Sequence, residues 1–344
     1  MRGRLLRNTL IAASLLSPAL SSVAGTVQRS LCVFDIIGSN GDVYQMMKDY
    51  AVAARKWGVD FELRPYTDES TAKADFQAGE CDAVVITGIR NRGIVKFAGS
   101  LDMMAATPSY EAQRTAIVAI SSPGAARYMR EGPYETAGVV NMGKVYLFAR
   151  DDDWLDSWKN LAGKKVATIS YDDQARQMVQ HVGATVVPAS ISTFAAMFNN
   201  GNVDVAYAPA YAFTALELYK GLGDGGGILD YNLGILSAQI DIRHERFPED
   251  FGVKSRQWVA GHLWDDAMRV IEKSEAQIPD DYWYEPEAGE TREYNRMFAD
   301  VRQTLYENNV YSRKMQYMLK KIRCRENPGN PECTRDTEGG PAGG

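Results

Sequence analysis

A short phrase occurs twice in this chain and constrains its fold more than any other feature. The first copy, FQAGECDAVV, begins at Phe76, and the second, FNNGNVDVAY, begins at Phe198. In each copy a helical pattern ends, Gly79 or Gly201 follows where a left-handed C-cap is needed, and an apolar run then begins a buried strand. Two similar α/β lobes are therefore predicted. Paired lobes form a cleft that can open and close around a small molecule.

Residues 1–25 have the pattern of a secretory signal peptide. Arg2, Arg4 and Arg7 precede a largely apolar stretch at 10–20, and small residues follow. A membrane anchor is the alternative, but the stretch is shorter than the roughly 18 apolar residues of a spanning helix and contains Ser and Pro. We therefore expect the leader to be cleaved and the mature protein to be periplasmic.

The charge of the mature chain argues against two classes of partner. Loss of the three leader arginines takes the formal charge from −6 to about −9, which disfavours binding to nucleic acid or anionic lipid. No later segment reaches the length of a spanning helix, so we expect any membrane component to be a separate chain. An apolar fraction of 45% supplies core for two domains of ordinary size.

The four cysteines favour two disulfides in an oxidising compartment. Cys324 and Cys333 enclose a short loop with Pro and Gly, and its closure stabilises by about 2–3 kcal/mol in the chain-entropy model. Cys32 and Cys81 begin two strands expected to be parallel neighbours, which brings their starts within disulfide range. Buried thiols are the alternative, and four cysteines allow three pairings. Zinc is disfavoured because neither C-x-x-C nor H-x-x-x-H spacing occurs.

Strands and helices alternate through residues 26–130, which we predict to form lobe I. Apolar residues at helical spacing predict one helix from Val43 to Trp57, and Asp68 or Ser70 caps the next, which Gly79 ends. The expected strands are Leu31–Ile37, Val59–Leu63 and Cys81–Ile86, with further extended segments at Arg114–Ile120 and Val145–Ala149.

Residues 131–215 repeat this alternation and are predicted to form lobe II, with a parallel sheet. The expected elements are strand Lys165–Ile169, helix Asp172–His181, strand Thr185–Val187, helix Thr193–Phe198 and strand Val203–Tyr207. Residues 216–323 are expected to hold crossover strands and two long helices, Lys254–Ala276 and Glu290–Arg323, shared by the lobes. Residues 324–344 are predicted as the disulfide loop and, because they are polar and rich in Gly and Pro, a disordered tail.

Ordered motifs within residues 154–250 carry a family resemblance. WLDSWKNLAGKKVATIS contains Leu161, Gly163 and Lys165, and GATVVPASISTFAAMFNNGNVDVAYAP and the later FPED follow it. Together they resemble the solute receptors of TRAP-type transporters, over about a third of the chain. The resemblance implies an α/β, type II-like periplasmic binding protein with two lobes. Each lobe would be a mixed, mainly parallel sheet flanked by helices, with long C-terminal bracing helices. It also implies a small organic solute and separate membrane permease subunits.

Two positions depart from the family pattern. The family's ligand-anchoring Arg stands on the first strand of the second lobe, where this chain has Ala167. The acidic residue and Asn that precede the family's Pro appear as Tyr207 and Ala208. A bidentate Arg selects planar carboxylates, so a carboxylate ligand does not follow from the resemblance. Arg90 or Arg114 from the other lobe is the candidate replacement.

The C-terminal ends of the predicted strands supply the candidate ligand contacts, because ligands of open α/β sheets bind beyond those ends. The candidates are Ser39, Asn40, Thr87 and Arg90 from lobe I and Ser170, Tyr171, Tyr207 and Tyr211 from lobe II. A turn and helix cap at Ser39 and Asn40, a surface ion pair for Arg90 and helix packing for Tyr211 are the alternatives. A tyrosine joins an apolar face to a hydrogen-bonding tip, which suits a cleft.

The chain lacks the short motifs of common enzymes. No G-x-S-x-G or H-E-x-x-H occurs, and residues 221–227 are not followed by the GK[ST] of a phosphate loop. Residues 151–153 (DDD) are read as a helix start, not a metal site. We expect a monomeric receptor that is not an enzyme and uses no metal or cofactor. The alternatives are an exported accessory protein of an envelope or efflux assembly and, third, a hydrolase using Asp172, Asp173 or Glu217.

Overall fold

The computed structural model describes residues 26–342, and the predicted signal peptide lies outside the described residues. The strands are β1 (Val27–Phe34), β2 (Val59–Tyr66), β3 (Ala83–Thr87), β4 (Arg130–Glu131), β5 (Tyr134–Ala149), β6 (Lys165–Ile169), β7 (Thr185–Ala189), β8 (Val205–Pro209), β9 (Gly227–Leu229), β10 (Ile235–Arg243) and β11 (Trp283–Tyr284). The helices are α1 (Asp42–Ala54), α2 (Glu69–Ala78), α3 (Gly88–Asn91), α4 (Lys96–Gly99), α5 (Tyr110–Ser121), α6 (Asp173–His181), α7 (Phe194–Asn199), α8 (Tyr211–Ala215), α9 (Tyr219–Leu222), α10 (Phe251–Glu275), α11 (Ala288–Glu307) and α12 (Arg313–Glu326).

One long strand, β5, joins two sheets. The strand order is β2-β1-β3-β10-β5-β8-β6-β7. The first sheet contains the parallel strands β1, β2 and β3, and the second contains the parallel strands β6, β7 and β8. The N-terminal part of β5 pairs with β10 in the first sheet, and its C-terminal part pairs with β8 in the second. The predicted two-lobed α/β fold is confirmed.

The repeated phrase has the same backbone form in both lobes. Gly79 follows α2 with φ 90° and donates its N–H to Phe76, and Gly201 follows α7 with φ 73° and donates to Phe198. A Cβ atom is strained at such angles, so glycine is the residue that ends each helix this way. A buried strand begins within four residues of each glycine, as the sequence predicts.

Both predicted disulfides are present. Cys32 and Cys81 join β1 to the turn before β3, with Cα atoms 6.0 Å apart. Cys324 and Cys333 join the end of α12 to the following loop, with Cα atoms 5.6 Å apart. The alternative of buried free thiols is therefore wrong.

The segment Arg114–Ile120, predicted to be extended, is instead part of helix α5. Ser109 caps this helix by accepting a hydrogen bond from the backbone N–H of Ala112. Its buried residues include Ala112, Ala116 and Ile120, which recur every four residues and so form one helical face. The β-branched content of the segment suggested a strand, but burial of this face decides the structure.

The predicted helix Glu290–Arg323 is broken into α11 and α12. The break contains Asn309 with φ 55°, a left-handed conformation that stops an α-helix. The two helices and α10 brace the lobes, because α10 packs on β5 and α5, α11 on α6, and α12 on α5. No helix within residues 26–342 has the length and apolar character needed to cross a membrane.

The tail beyond Cys333 differs from the predicted disorder. Glu338 is 3% exposed and pairs with Arg302 and Arg323. Glu332 contacts the same two arginines. These buried charges hold the tail against α11 and α12, a nonlocal contact that a composition argument does not detect.

Candidate functional site

An inner cavity of about 80 Å³ lies between the lobes, at the C-terminal ends of β1, β3, β6 and β8. This is where ligands bind in open α/β sheets. The lining is mainly apolar and aromatic: Phe34, Ile36, Thr87, Ile89, Val145, Ile169, Tyr171, Asp172, Ile191, Phe194, Tyr207, Ala208, Pro209, Tyr211, Ala212, Leu216 and Leu236.

Two further spaces adjoin the inner cavity. A rear cavity of about 50 Å³ adjoins it, and the two cavities share the lining residues Ile89, Val145, Asp172, Tyr207 and Leu236. An outer groove of about 580 Å³ shares Phe34, Ile36, Thr87 and Tyr211 with the inner cavity. The outer groove is bounded by α1, α8, the bend of β5 and the C-terminal half of α10. It gives a route from the surface to the inner cavity.

Two of the residues shared by the inner and rear cavities, Asp172 and Tyr207, are joined by a hydrogen bond. The Tyr207 hydroxyl donates to Asp172 Oδ2 at 3.2 Å and accepts the backbone N–H of Ile169 at 3.1 Å. Asp172 follows β6 and caps α6 by accepting from Ala175 N at 3.1 Å. Burial raises the pKa of the Asp172 carboxyl, and the positive charge of Arg92 opposes that rise. Burial likewise raises the pKa of Tyr207 well above its usual value.

A buried acid of the first lobe meets a tyrosine of the second. Glu69 is 1% exposed and accepts a hydrogen bond from the Tyr171 hydroxyl. It also accepts from Thr87 N at 2.7 Å and from Arg90 Nε at 3.2 Å. The Arg90 guanidinium carbon lies 3.5 Å from the centroid of the Tyr171 ring. We call Glu69, Arg90 and Tyr171 the cross-lobe contact, because it joins α2 and α3 of one lobe to the β6–α6 turn of the other.

A second bridge lies beside the rear cavity. Arg92 Nη2 donates to Gln174 Oε1 at 3.2 Å, and the Tyr311 hydroxyl donates to the same oxygen at 3.0 Å. The Arg92 guanidinium also lies 4.9 Å from the centre of the Tyr311 ring. Thus α3, α6 and the α11–α12 connection meet at one amide.

The structure brings together half of the predicted contact residues. Thr87, Tyr171, Tyr207 and Tyr211 line the inner cavity. Arg90 packs on Tyr171 and pairs with Glu69, so its charge is already compensated.

Other predicted positions lie outside the lining. Ser39, Asn40 and Ser170 are exposed and line neither the cavities nor the outer groove. Arg114, a candidate anchor, is exposed on α5 and stacks on Trp264 at 5.6 Å. Ala167 is 1% exposed within the core of the second lobe and does not line a cavity either.

Sequence reasoning did not identify Glu69, Arg92 or Gln174 as site residues. Glu69 is the first residue of α2, and Gln174 lies in the first turn of α6. Glu69 and Gln174 could have been identified from their positions in the first turn of a helix that follows a strand. The N-termini of helices that follow parallel strands point toward the cleft. The hydrogen bonds from Tyr171 to Glu69 and from Arg92 to Gln174 join the two lobes, and no local pattern encodes such contacts.

Comparison with known proteins gives a consistent family and fold. The family model described as "Solute-binding protein AdeT 1/2" matches residues 51–338. The curated Acinetobacter baumannii protein "Probable solute-binding protein AdeT1" is 40% identical over 306 residues, covering 89% of this chain and all of that protein.

Solved structures share the fold at low sequence identity. A TRAP periplasmic solute-binding protein from Haemophilus influenzae RdAW with bound L-gulonate superposes with a TM-score of 0.70 at 9% identity, covering 86% of this chain and 98% of its own. DctP7, an extracytoplasmic solute receptor of Bordetella pertussis that binds pyroglutamic acid, gives 0.68 at 10% identity, covering 87% and 100%.

Proposed function

Because the chain belongs to the AdeT 1/2 family of solute-binding proteins, we propose that it captures one small organic solute between its lobes and delivers it to a membrane transporter. The family and the fold are those of solute-binding proteins and not of enzymes. We further propose that residues 1–25 are cleaved on export and that the mature protein acts in the periplasm as a monomer. The transporter would consist of separate permease subunits.

One observation carries the proposal: the inner cavity has walls from both lobes. Phe34 and Thr87 come from the first lobe, and Tyr171, Tyr207 and Tyr211 come from the second. A solute in this position contacts both walls only when the lobes are closed, so its binding energy favours closure.

The lobes proposed are residues 26–130 and 131–215, with residues 216–323 shared between them. Thr87, Tyr171, Tyr207 and Tyr211 are proposed as direct contacts. Arg90 is proposed to support Tyr171 from behind instead of contacting the solute, because it stacks on that ring and pairs with Glu69. The hinge is proposed at β5 and β10, where β5 passes from one sheet to the other.

The first test is native mass spectrometry of the mature protein purified from its own periplasm without refolding. Comparison of native and denatured masses reveals a co-purifying solute. The expected result is one small molecule per chain, lost on denaturation, with an increase in the melting temperature when it is added back.

A matched pair of variants links the solute to the cavity. Tyr207→Phe removes a hydroxyl from the cavity wall, whereas Tyr219→Phe changes a tyrosine that is 38% exposed and outside the cavity lining. The first is expected to weaken binding and the second to leave it unchanged. A protein that carries no solute and shows no thermal shift with a broad solute panel contradicts the proposal.

A further inference from the structure

The charges that face the inner spaces of the cleft have one sign. Asp172 lines both the inner and the rear cavity, and Asp102 lines the rear cavity. Within residues 26–342, no lysine or arginine lines either of these two cavities. This contrasts with the Arg that the TRAP family resemblance leads one to expect on β6, where Ala167 is buried in the lobe core.

Neither nearby guanidinium group lines the inner or the rear cavity, although the Arg92 Nε is buried without a hydrogen-bond partner among the described residues. Arg90 is compensated by Glu69 at 3.2 Å and lies over Tyr171. Arg92 faces Gln174 and Tyr311, and its charge acts on both Asp102 and Asp172. Burial raises the pKa of Asp102 to about 7 and both of its oxygens accept from Ser237, so Asp172 is the carboxyl group of these cavities that we consider for a cation.

Asp172 retains capacity to accept further hydrogen bonds. It is 2% exposed, with Oδ1 accepting from the backbone of α6 and Oδ2 accepting a 3.2 Å bond from Tyr207. A carboxylate offers about four acceptor positions, so a donor in the cavity can add to these bonds. A positive donor also compensates a charge that is costly to bury among mainly apolar side chains.

Aromatic side chains line the same cavity as this carboxylate, and one of them, Tyr207, is hydrogen-bonded to it. Tyr171, Tyr207, Tyr211, Phe34 and Phe194 line the same inner cavity. Aromatic faces attract cations, and the Arg90 guanidinium carbon at 3.5 Å from the Tyr171 ring centroid is an example within the site. An acidic group within aromatic walls is the chemistry by which proteins recognise amines and quaternary ammonium groups.

Acidic residues also outnumber basic residues in the lining of the outer groove. Its acidic lining residues are Asp35, Asp42, Asp49, Asp266 and Glu275, and its basic ones are Lys144, Arg269 and Lys273. Arg269 is additionally paired with Asp266. The excess of acids on the route to the cavity raises the local concentration of cations and lowers that of anions.

We propose that the solute is a small organic cation, an amine or ammonium compound with an apolar body, whose charge is bound by Asp172 and whose body lies against the tyrosines. This assignment rests on the proposed function, since it specifies the solute class of the same cleft. It sets this chain apart from the structural neighbours bound to L-gulonate and pyroglutamic acid.

The test compares probes with similar carbon skeletons and different charge. Isothermal titration of the mature wild-type protein uses a panel of amines, with phenethylamine and choline among them. Each amine is matched to a carboxylate and a neutral alcohol, such as 3-phenylpropanoate and 3-phenylpropan-1-ol for phenethylamine. Binding confined to the amines is expected. Preferential binding of the carboxylates or alcohols overturns the assignment.

Asp172→Asn is the matching variant, because Asn keeps the size of the side chain, its oxygen can still cap α6 and its amide nitrogen can donate to the Tyr207 hydroxyl. We expect it to weaken amine binding roughly tenfold or more, as loss of a charge-assisted bond in a buried site does. The control is Asp173→Asn, an exposed neighbour paired with Arg176, which should bind amines as the wild type does. Equal amine affinity in Asp172→Asn and the wild type refutes the role of this carboxylate.

The co-purifying solute separates failure of this inference from failure of the proposed function. A bound anion or neutral molecule refutes the cation assignment and leaves the receptor function standing. An empty protein that binds no probe refutes both. A bound organic cation supports both, whether or not any probe of the panel binds.

Discussion

Replacing Tyr171 by Phe should shift the lobes away from the closed arrangement while keeping the aromatic ring in the cavity wall. The change removes one hydrogen bond of the cross-lobe contact, from the Tyr171 hydroxyl to the Glu69 carboxylate. Hydrogen bonds to charged groups contribute about 1.5–3 kcal/mol in proteins. Glu69 keeps its bonds from Thr87 and Arg90, so the effect should lie at the lower end of that range.

This loss applies to the closed state and not to an open one, where both groups are hydrated. A change of about 1.4 kcal/mol is tenfold in an equilibrium constant, so the ratio of closed to open protein should fall roughly tenfold and the apparent affinity by up to that factor. The decrease in affinity should come mainly from faster dissociation.

Small-angle scattering of the ligand-free protein measures closure, and stopped-flow binding of the co-purified solute measures the rates. A larger radius of gyration and faster dissociation are expected for Tyr171→Phe, whereas Tyr219→Phe should match the wild type in both. If Tyr171→Phe keeps the wild-type scattering curve and dissociation rate, the cross-lobe contact does not stabilise closure and the reasoning is wrong.

Three further predictions concern stability. Cys324→Ser with Cys333→Ser should lower stability by about 2–3 kcal/mol, as closure of a short loop implies, and should increase proteolysis of the tail in a limited digest. The pairing of Glu338 with Arg302 and Arg323 lowers the pKa of Glu338 to about 2. Its contribution should therefore be complete above pH 4.5 and be lost as the pH falls toward 2, and Glu338→Gln should remove this acid dependence from urea unfolding curves. Burial raises the pKa of Asp241 to about 7, so this group should cost stability as the pH rises from 4 to 7, and Asp241→Asn should flatten that slope in thermal unfolding.

The order of strands and helices follows from local patterns in this chain. Gly79 and Gly201 end helices because of their backbone freedom, and Asp68 and Asp172 begin helices by capping them. These signals act within a few residues, so the alternation of both lobes could be predicted. The start of β6 at Lys165 and its end at Ile169 agree with the sequence prediction.

The errors concern features that depend on distant parts of the chain. In α5 the buried face formed by Ala112, Ala116 and Ile120 outweighs the strand preference of the β-branched residues between them. The tail is ordered because Glu338 meets Arg302, 36 residues earlier in the chain. Composition alone predicted disorder there because it takes no account of such a partner.

The part of the candidate site that follows from local patterns could also be predicted from the sequence. Thr87, Tyr171, Tyr207 and Tyr211 follow strand ends, which the topology rule places at the cleft. Glu69 and Arg92 required knowledge of which lobe surfaces meet. Ser39 and Asn40 satisfied the rule but lie exposed beside α1, outside the cavity lining.

The two departures from the family pattern, at Ala167 and at Tyr207, both affect the charge of the cleft. Where a ligand-anchoring Arg is expected, Ala167 is buried in the core, and where an acid is expected, the Tyr207 hydroxyl donates to Asp172. The position of the expected Arg is thus an alanine in the core, while Asp172, which lines the cleft, accepts a hydrogen bond from a phenol. Closure also draws on protein contacts, since Tyr171 reaches Glu69 across the lobes. Under the proposed assignment the solute supplies only part of the closing energy and its charge complements Asp172, so we expect charge to be the main determinant of selectivity.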